Sequence, residues 1–240
     1  VKQGQKVLVK PNIGWDKKPE EGANTSPELV KRIVELCLKA GASEVRVFDN
    51  TCNHWQACYG NSGIETAVKE AGGKMLMAHE ESYFTPLDVP AGKVLKKTAV
   101  HQAWLDSDVI INVPILKHHG GARMTAAMKN LMGVIFDRRY YHSNDLHQCI
   151  ADFTTIAKKP TLNVIDAYNV MMRNGPRGVS TDDLVTRKML LLSTDMVAID
   201  AAAARILEVD QQEVSYIAKA SEHGTVINTL DKLRIERLTL

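Results

Sequence analysis

The stretch "NTSPELVKRIVELCLKAGASEVRVFDN", residues 24 to 50, decides the reading of the fold. Ser26 is of a type that caps helix N-termini, Pro27 suits the first helical position, and Glu28 complements the first turn. Leu29, Ile33, Leu36 and Cys37 recur at helical spacing and Gly41 stops the pattern, so one amphipathic helix is expected, with Cys37 in the core. The run Val45 to Phe48 then reads as a strand. Upstream, "QKVLVKPN" predicts a short buried strand over Lys6 to Lys10. Strand, helix and strand in that order make a βαβ unit, which implies parallel strands and a right-handed crossover.

Downstream, "SGIETAVKEAGG" predicts a second helix with a capping box from Ser62 to Glu65, and "KMLMA" a third strand. Prolines and alternating Leu and Val over Tyr83 to Val100 suggest a β-hairpin insertion. "SDVIINVPIL" is the most strand-like run, nearly continuous in apolar residues as in a sheet covered on both faces. Helices are expected over Met124 to Ile135 and Leu146 to Ala157. "TLNVIDA" and "KMLLLSTD" follow as buried strands, then "MVAIDAAAARIL" and "QQEVSYIAKASEHG" as closing helices. The expected architecture is α/β: a doubly wound, mostly parallel sheet with helices on both faces and a small hairpin insertion, forming a single domain over residues 1–240.

A hydrophobic fraction of 45% with 24% charged residues describes an ordinary globular protein, and a net charge of +2 is too small for a nucleic-acid surface. No apolar run approaches the ~20 residues of a membrane span. The chain opens with Val1 and enters its first strand almost at once, which reads as a trimmed N-terminus; a cytoplasmic location is favoured, with export left open. Cys37, Cys52, Cys58 and Cys149 form no C-x-x-C pair, so no iron–sulfur cluster or zinc ribbon is written here. Cys52 and Cys58 share a loop; a disulfide and a metal site between them both stay open.

Each buried strand ends in polar residues: Lys10 and Asn12, Asp49 to Thr51, Asn112, Lys117 to His119, Asp166, then Ser193 and Asp195. Open parallel sheets bind ligands outside the carboxyl ends of their strands. Lys10, Asp49, Lys117, His119 and Lys129 are therefore expected to line one cleft. In "LKHHGGARMTAAMKNLMG", residues 116 to 133, Gly120 and Gly121 would let the backbone approach a ligand, and a helix start near Met124 would offer N–H groups to an anion. Lys117, Arg123 and Lys129 add positive charge, Thr125 and Asn130 hydrogen bonds, and Arg173 in "MRNGPRG" could fold over the anion. No P-loop and no G-x-G-x-x-G is present, which disfavours the usual ATP and NAD sites. Adjacent residues of an extended segment point oppositely, so one of His118 and His119 should face the site, and His119 is preferred. His142, beside Arg138 and Arg139, is the better candidate metal ligand. His54, His79, His101 and His223 are expected at the surface, and the stripe Met124, Met128, Met132 in the core.

The blocks "VLVKPNIGW", "NTSPELV", "DVIINVPILKHH", "AAMKNLMG", "NVIDA", "NGPRG" and "STDMVAIDAAAA" resemble those of the DUF362 family, a bacterial and archaeal group named for its unknown function. The resemblance runs over nearly the whole chain. Many members pair this domain with a cysteine-rich ferredoxin-like segment, which this chain lacks. At motif level the chain is also similar to nickel-pincer lactate racemases, which carry a histidine, a glycine-containing loop, a cofactor-bearing lysine ten residues on and a further histidine. His119, Lys129 and His142 follow that pattern. The similarity implies an acid/base role for His119, a cofactor or anion anchor at Lys129 and a metal ligand at His142. An enzyme is expected, an oxidoreductase or isomerase, with a divalent metal or metallocofactor assisting redox or proton-transfer chemistry on a small anionic substrate. The alternative is a non-catalytic accessory protein that holds an anionic ligand or metallocofactor for a redox partner.

Overall fold

A computed structural model of the chain describes residues 1–223, 230 and 234–239. Strand β1 (Lys6–Pro11), helix α1 (Pro27–Lys39) and strand β2 (Glu44–Val47) form the expected βαβ unit, with Lys6 opposite Glu44 in a parallel ladder. The Ser26 hydroxyl accepts the Leu29 N–H at the start of α1, as its capping role requires. Next come α2 (Trp55–Asn61), α3 (Ile64–Glu70) and the two-residue β3 (Lys74–Met75). The hairpin insertion is β4 (Phe84–Asp88) and β5 (Lys97–His101), a separate two-stranded antiparallel sheet, followed by α4 (Gln102–Asp106). Strands β6 (Val109–Val113), β7 (Ile115–His119) and β8 (Arg123–Thr125) precede α5 (Ala127–Asn130), α6 (Arg139–Ser143) and α7 (Leu146–Phe153). The paired strands β9 (Leu162–Met171) and β10 (Leu184–Ser193) and the helices α8 (Met196–Ile206) and α9 (Ser215–Ser221) follow. Gly224, the last residue of the expected closing helix, lies outside the described residues. Among these, no helix is long and apolar enough to cross a membrane.

The sheet runs β3-β2-β1-β6-β9, parallel throughout, and β10 adds an antiparallel edge to β9. β6 and β7 are one extended run interrupted at Pro114, and both lie along β9. β1 flanks the first half of that run and stops at Pro11, whereas β8 flanks the second half. The sheet therefore opens where β1 leaves it. Alternation along β1 feeds two cores. Val7 and Val9 pack with Val45, Val47, Val30 and Val34 under α1, and Leu8 joins Ile110, Met128, Phe153 and Val197 on the other face.

Four expectations need correction. Ser62 closes α2 rather than boxing α3; Gly63, at φ +73°, takes the N-cap. β10 is not buried, since Met189, Leu190 and Leu192 on this edge strand are 46–60% exposed. His101 is buried, stacked 4.0 Å from Phe48 and accepting the Ala103 N–H at the start of α4. The helix expected from Met124 to Ile135 begins only at Ala127, because Arg123 to Thr125 pair back on His119 to Lys117 as a hairpin. The first N–H groups of α5 are also occupied: Ala127 and Met128 donate to the Asp200 carboxylate at 2.6 and 3.1 Å. An internal carboxyl group fills the place expected for an external anion.

Asp200 is the lone acid in the apolar run of α8, fully buried, and burial pushes its pKa up to about 8. Asp200→Ala removes the acceptor of two buried N–H groups. We expect it to lower the unfolding free energy by about 2–4 kcal/mol in urea, with Asp200→Asn losing about half as much because one acceptor remains.

Candidate functional site

A cleft of about 680 Å³ opens at the carboxyl end of the sheet, where β1 and β8 part. Asn12, Asp49, Lys117, His119, Thr125, Lys129, Asn130 and His142 all line it. Lys10 lies beneath this lining, fully buried, with Nζ 3.0 Å from Asp49 Oδ1 and donating to the Pro11 carbonyl at 2.7 Å. Burial lowers the Lys10 pKa and the Asp49 charge raises it again. Asp49 Oδ2 accepts the Ile13 N–H at 2.6 Å, so both carboxylate oxygens are engaged. Gly133 presses against this pair: a Cβ there would lie 1.8 Å from Asp49 Oδ1, which explains why the position has no side chain.

A ladder of buried and part-buried amides crosses the sheet at the floor of the cleft. Asn12 Nδ2 donates to Asn130 Oδ1 (3.0 Å), Asn130 Nδ2 to Asn112 Oδ1 (2.8 Å), and Asn112 Nδ2 to Asn163 Oδ1 (2.9 Å). Asn12 directly follows β1, and Asn130, Asn112 and Asn163 lie in α5, β6 and β9, so the ladder ties these elements together. Lys117, 1% exposed, donates to Asn12 Oδ1 at 3.0 Å and to the Ala23 carbonyl. It has no carboxylate partner among the described residues. Burial lowers its pKa to about 7, and Lys129 pushes the same way. Lys129 is partly buried, and its ammonium makes no hydrogen bond or ion pair among the described residues; burial and then Arg138 help bring it to about 8.

The two adjacent histidines diverge, as alternation requires. His119 lines the cleft, and its Nδ1 accepts the N–H groups of Gly121 (3.2 Å) and Ala122 (3.1 Å). Two donors on Nδ1 leave the ring proton on Nε2. Burial first, then Lys129 and Lys117, hold the imidazole pKa down to about 2, so His119 is neutral at working pH. His118 turns instead to the loop after β9, where its Nδ1 accepts the Gly175 N–H.

Three expected residues stand apart from the cleft. Gly121 is exposed in the β7–β8 turn and donates to His119. Arg123 follows at φ +65° and pairs with Glu213, and Arg173 pairs with Asp183 at 3.0 Å. In each arginine the charge is paired with an acid from a distant or looped segment. Conversely, Trp15, Cys52, Phe136, Arg138 and Arg139 line the cleft. Arg138 was recognisable only as the neighbour of His142; it donates to the Asn50 and Thr51 carbonyls and lies 3.2 Å from Cys52 Sγ. Cys52 and Cys58 are both free thiols, Cys58 being buried. Among the described residues no group of three or more His, Cys, Asp or Glu side chains is placed to hold a metal ion. Two histidines and an unpaired amine do share one cleft, a donor set that fits a cofactor carried on Lys129 better than a metal held by protein ligands alone.

A family model described as "Domain of unknown function (DUF362)" matches residues 7–205. A thylakoid-associated protein of Synechocystis sp. is 25% identical over 232 residues, covering 93% of this chain and 70% of its own length. The lactate racemase apoprotein of Thermoanaerobacterium thermosaccharolyticum superposes over 83% of this chain and 48% of its own, with a TM-score of 0.50. A protein of Thermotoga maritima does so over 92% and 55%, with a TM-score of 0.53. Identity is 11% in both cases, so the likeness is one of fold, and the chain spans about half the length of each structure.

The Lys129 amine should titrate near pH 8, well below surface lysines. Reductive methylation across pH 7 to 10 with peptide mapping should show Lys129 reacting first. Half-reaction near the ordinary lysine value of about 10.4 would refute the burial and charge argument.

Proposed function

The chain belongs to the DUF362 family, and on that premise we propose that it is an enzyme acting on a small anionic substrate in this cleft, by metal- or cofactor-assisted redox or proton transfer. One observation carries the reading: Lys129 lines the cleft with no partner among the described residues, near the buried Lys117 and a neutral histidine. Isolated ammonium groups in a low-dielectric site are costly, and an oxyanion offers them charge-assisted hydrogen bonds.

The roles follow from the contacts. Lys117, anchored by Asn12 and the Ala23 carbonyl, is a fixed counter-charge for the substrate anion. Lys129, unanchored and about half neutral near pH 8, is the group able to take or return a proton at Nζ. His119 presents Nε2–H and donates. Asp49, expected among the catalytic residues, instead balances Lys10 and shapes the floor. A metal or metallocofactor anchored on Lys129 would replace that proton-carrying role and supply the electron-accepting chemistry that lysine and histidine lack, with His142 as a nearby ligand and His119 as a hydrogen-bond donor. The second reading, an accessory protein serving a redox partner, draws on the exposed apolar edge of β10, where Met189, Leu190 and Leu192 face solvent.

Calorimetric titration with sulfate, which stays dianionic throughout, should show saturable binding that weakens as pH rises from 6 to 9. The sign follows from lysines that lose charge above about 7 and 8. Lys117→Ala and Lys129→Ala should each weaken binding about tenfold, or ~1.4 kcal/mol. No saturable binding at millimolar sulfate would overturn the anion site. Metal analysis and mass spectrometry of anaerobically purified protein, with Lys129→Ala as control, would identify any carried cofactor and separate the two readings once turnover is assayed.

A further inference from the structure

His118 has a contact that the anion cleft does not use. Its Nδ1 accepts the Gly175 N–H at 3.1 Å, and Gly120 donates its own N–H to the Gly175 carbonyl at 3.3 Å. Both backbone polar groups of Gly175 are thereby held to the end of β7. The approach is too close for a side chain, since a Cβ on Gly175 would lie 1.9 Å from the His118 carbonyl oxygen. The next residue, Pro176, lines the cleft. Asp183, 3% exposed, gathers both ends of the same loop, accepting the Val179 N–H (2.9 Å) at one end and the Asn174 amide (2.7 Å) and the Arg173 guanidinium at the other. Arg177, between the two fastenings, is exposed.

We propose that His118 is a positioning residue that fastens the segment 173–179 as a wall of the cleft. The adjacent histidines then have separate tasks, His119 toward the ligand and His118 toward the wall that carries Pro176. Pro176 brings no N–H and keeps water from one side of the site. Excluding water lowers the local dielectric and strengthens the attraction of Lys117 and Lys129 for an anion. Only this effect on affinity rests on the anion-site reading; the fastening itself does not.

Two measurements test it: trypsin cleavage after Arg173 and Arg177, followed by mass spectrometry, and sulfate affinity by calorimetry. His118→Ala removes the acceptor for Gly175, so cleavage at these bonds should accelerate about tenfold and sulfate should bind about threefold more weakly, the scale of one lost hydrogen bond. His118→Asn can place Oδ1 near the position of Nδ1, and should restore both. Gly175→Ala leaves the histidine in place but displaces the wall, and should accelerate cleavage as His118→Ala does. Wild-type cleavage in either of these two variants would overturn the proposal, as would an asparagine variant no better than alanine. If the wild-type protein binds no sulfate, the anion site fails while the cleavage rates still decide whether His118 fastens the loop.

Discussion

Three lysine ammonium groups are buried or partly buried at one end of the sheet, and among the described residues only Lys10 has a carboxylate beside it. Lys117 is served by amide and carbonyl oxygens, and Lys129 has no partner among the described residues. This imbalance governs the chemistry of the cleft. Burial first depresses Lys117 and Lys129 toward neutrality, neighbouring cations push the same way, and the two effects together keep His119 neutral. In the function we propose, an anion supplies the acceptors that this excess of positive potential lacks.

The fold carries that cost through its connections. β1 stops at Pro11 while the β6–β7 run continues, so side chains from both converge on the gap. The amides of Asn12, Asn130, Asn112 and Asn163 then bind the gap's walls together without adding charge. Asp200 satisfies the first N–H groups of α5 from behind, which fixes the short helix that presents Lys129. Gly133 completes the floor by letting backbone approach the Lys10–Asp49 pair.

Much of this was readable in the sequence, for definite reasons. Caps and periodicity around Ser26 to Phe48 specify a βαβ unit locally, and a parallel sheet collects polar strand ends at one edge, which brings Asn12, Asp49, Lys117 and Lys129 together. Gly120 and Gly121 misled because they serve a hairpin turn, a use as common for glycine as close approach to a ligand. Arg123 and Arg173 misled because their partners, Glu213 and Asp183, are fixed by tertiary placement. Asp200 did leave a signal, a single acid in an alanine-rich helix. Trp15 and Phe136 left none, since an apolar residue in a cleft wall reads like one in the core. The amide ladder was invisible except for the placement of Asn12 and Asn112 at strand ends.

The central claim is that unpaired, partly neutral lysines await an anion, and proton uptake on binding tests it most directly. Sulfate should be titrated into the protein at pH 8 in two buffers of different ionisation enthalpy. Binding should draw about one proton from solution, because an anion raises the pKa values of Lys117 and Lys129 from about 7 and 8, and much less at pH 6, where both are already charged. Binding at pH 8 without proton uptake would contradict the account.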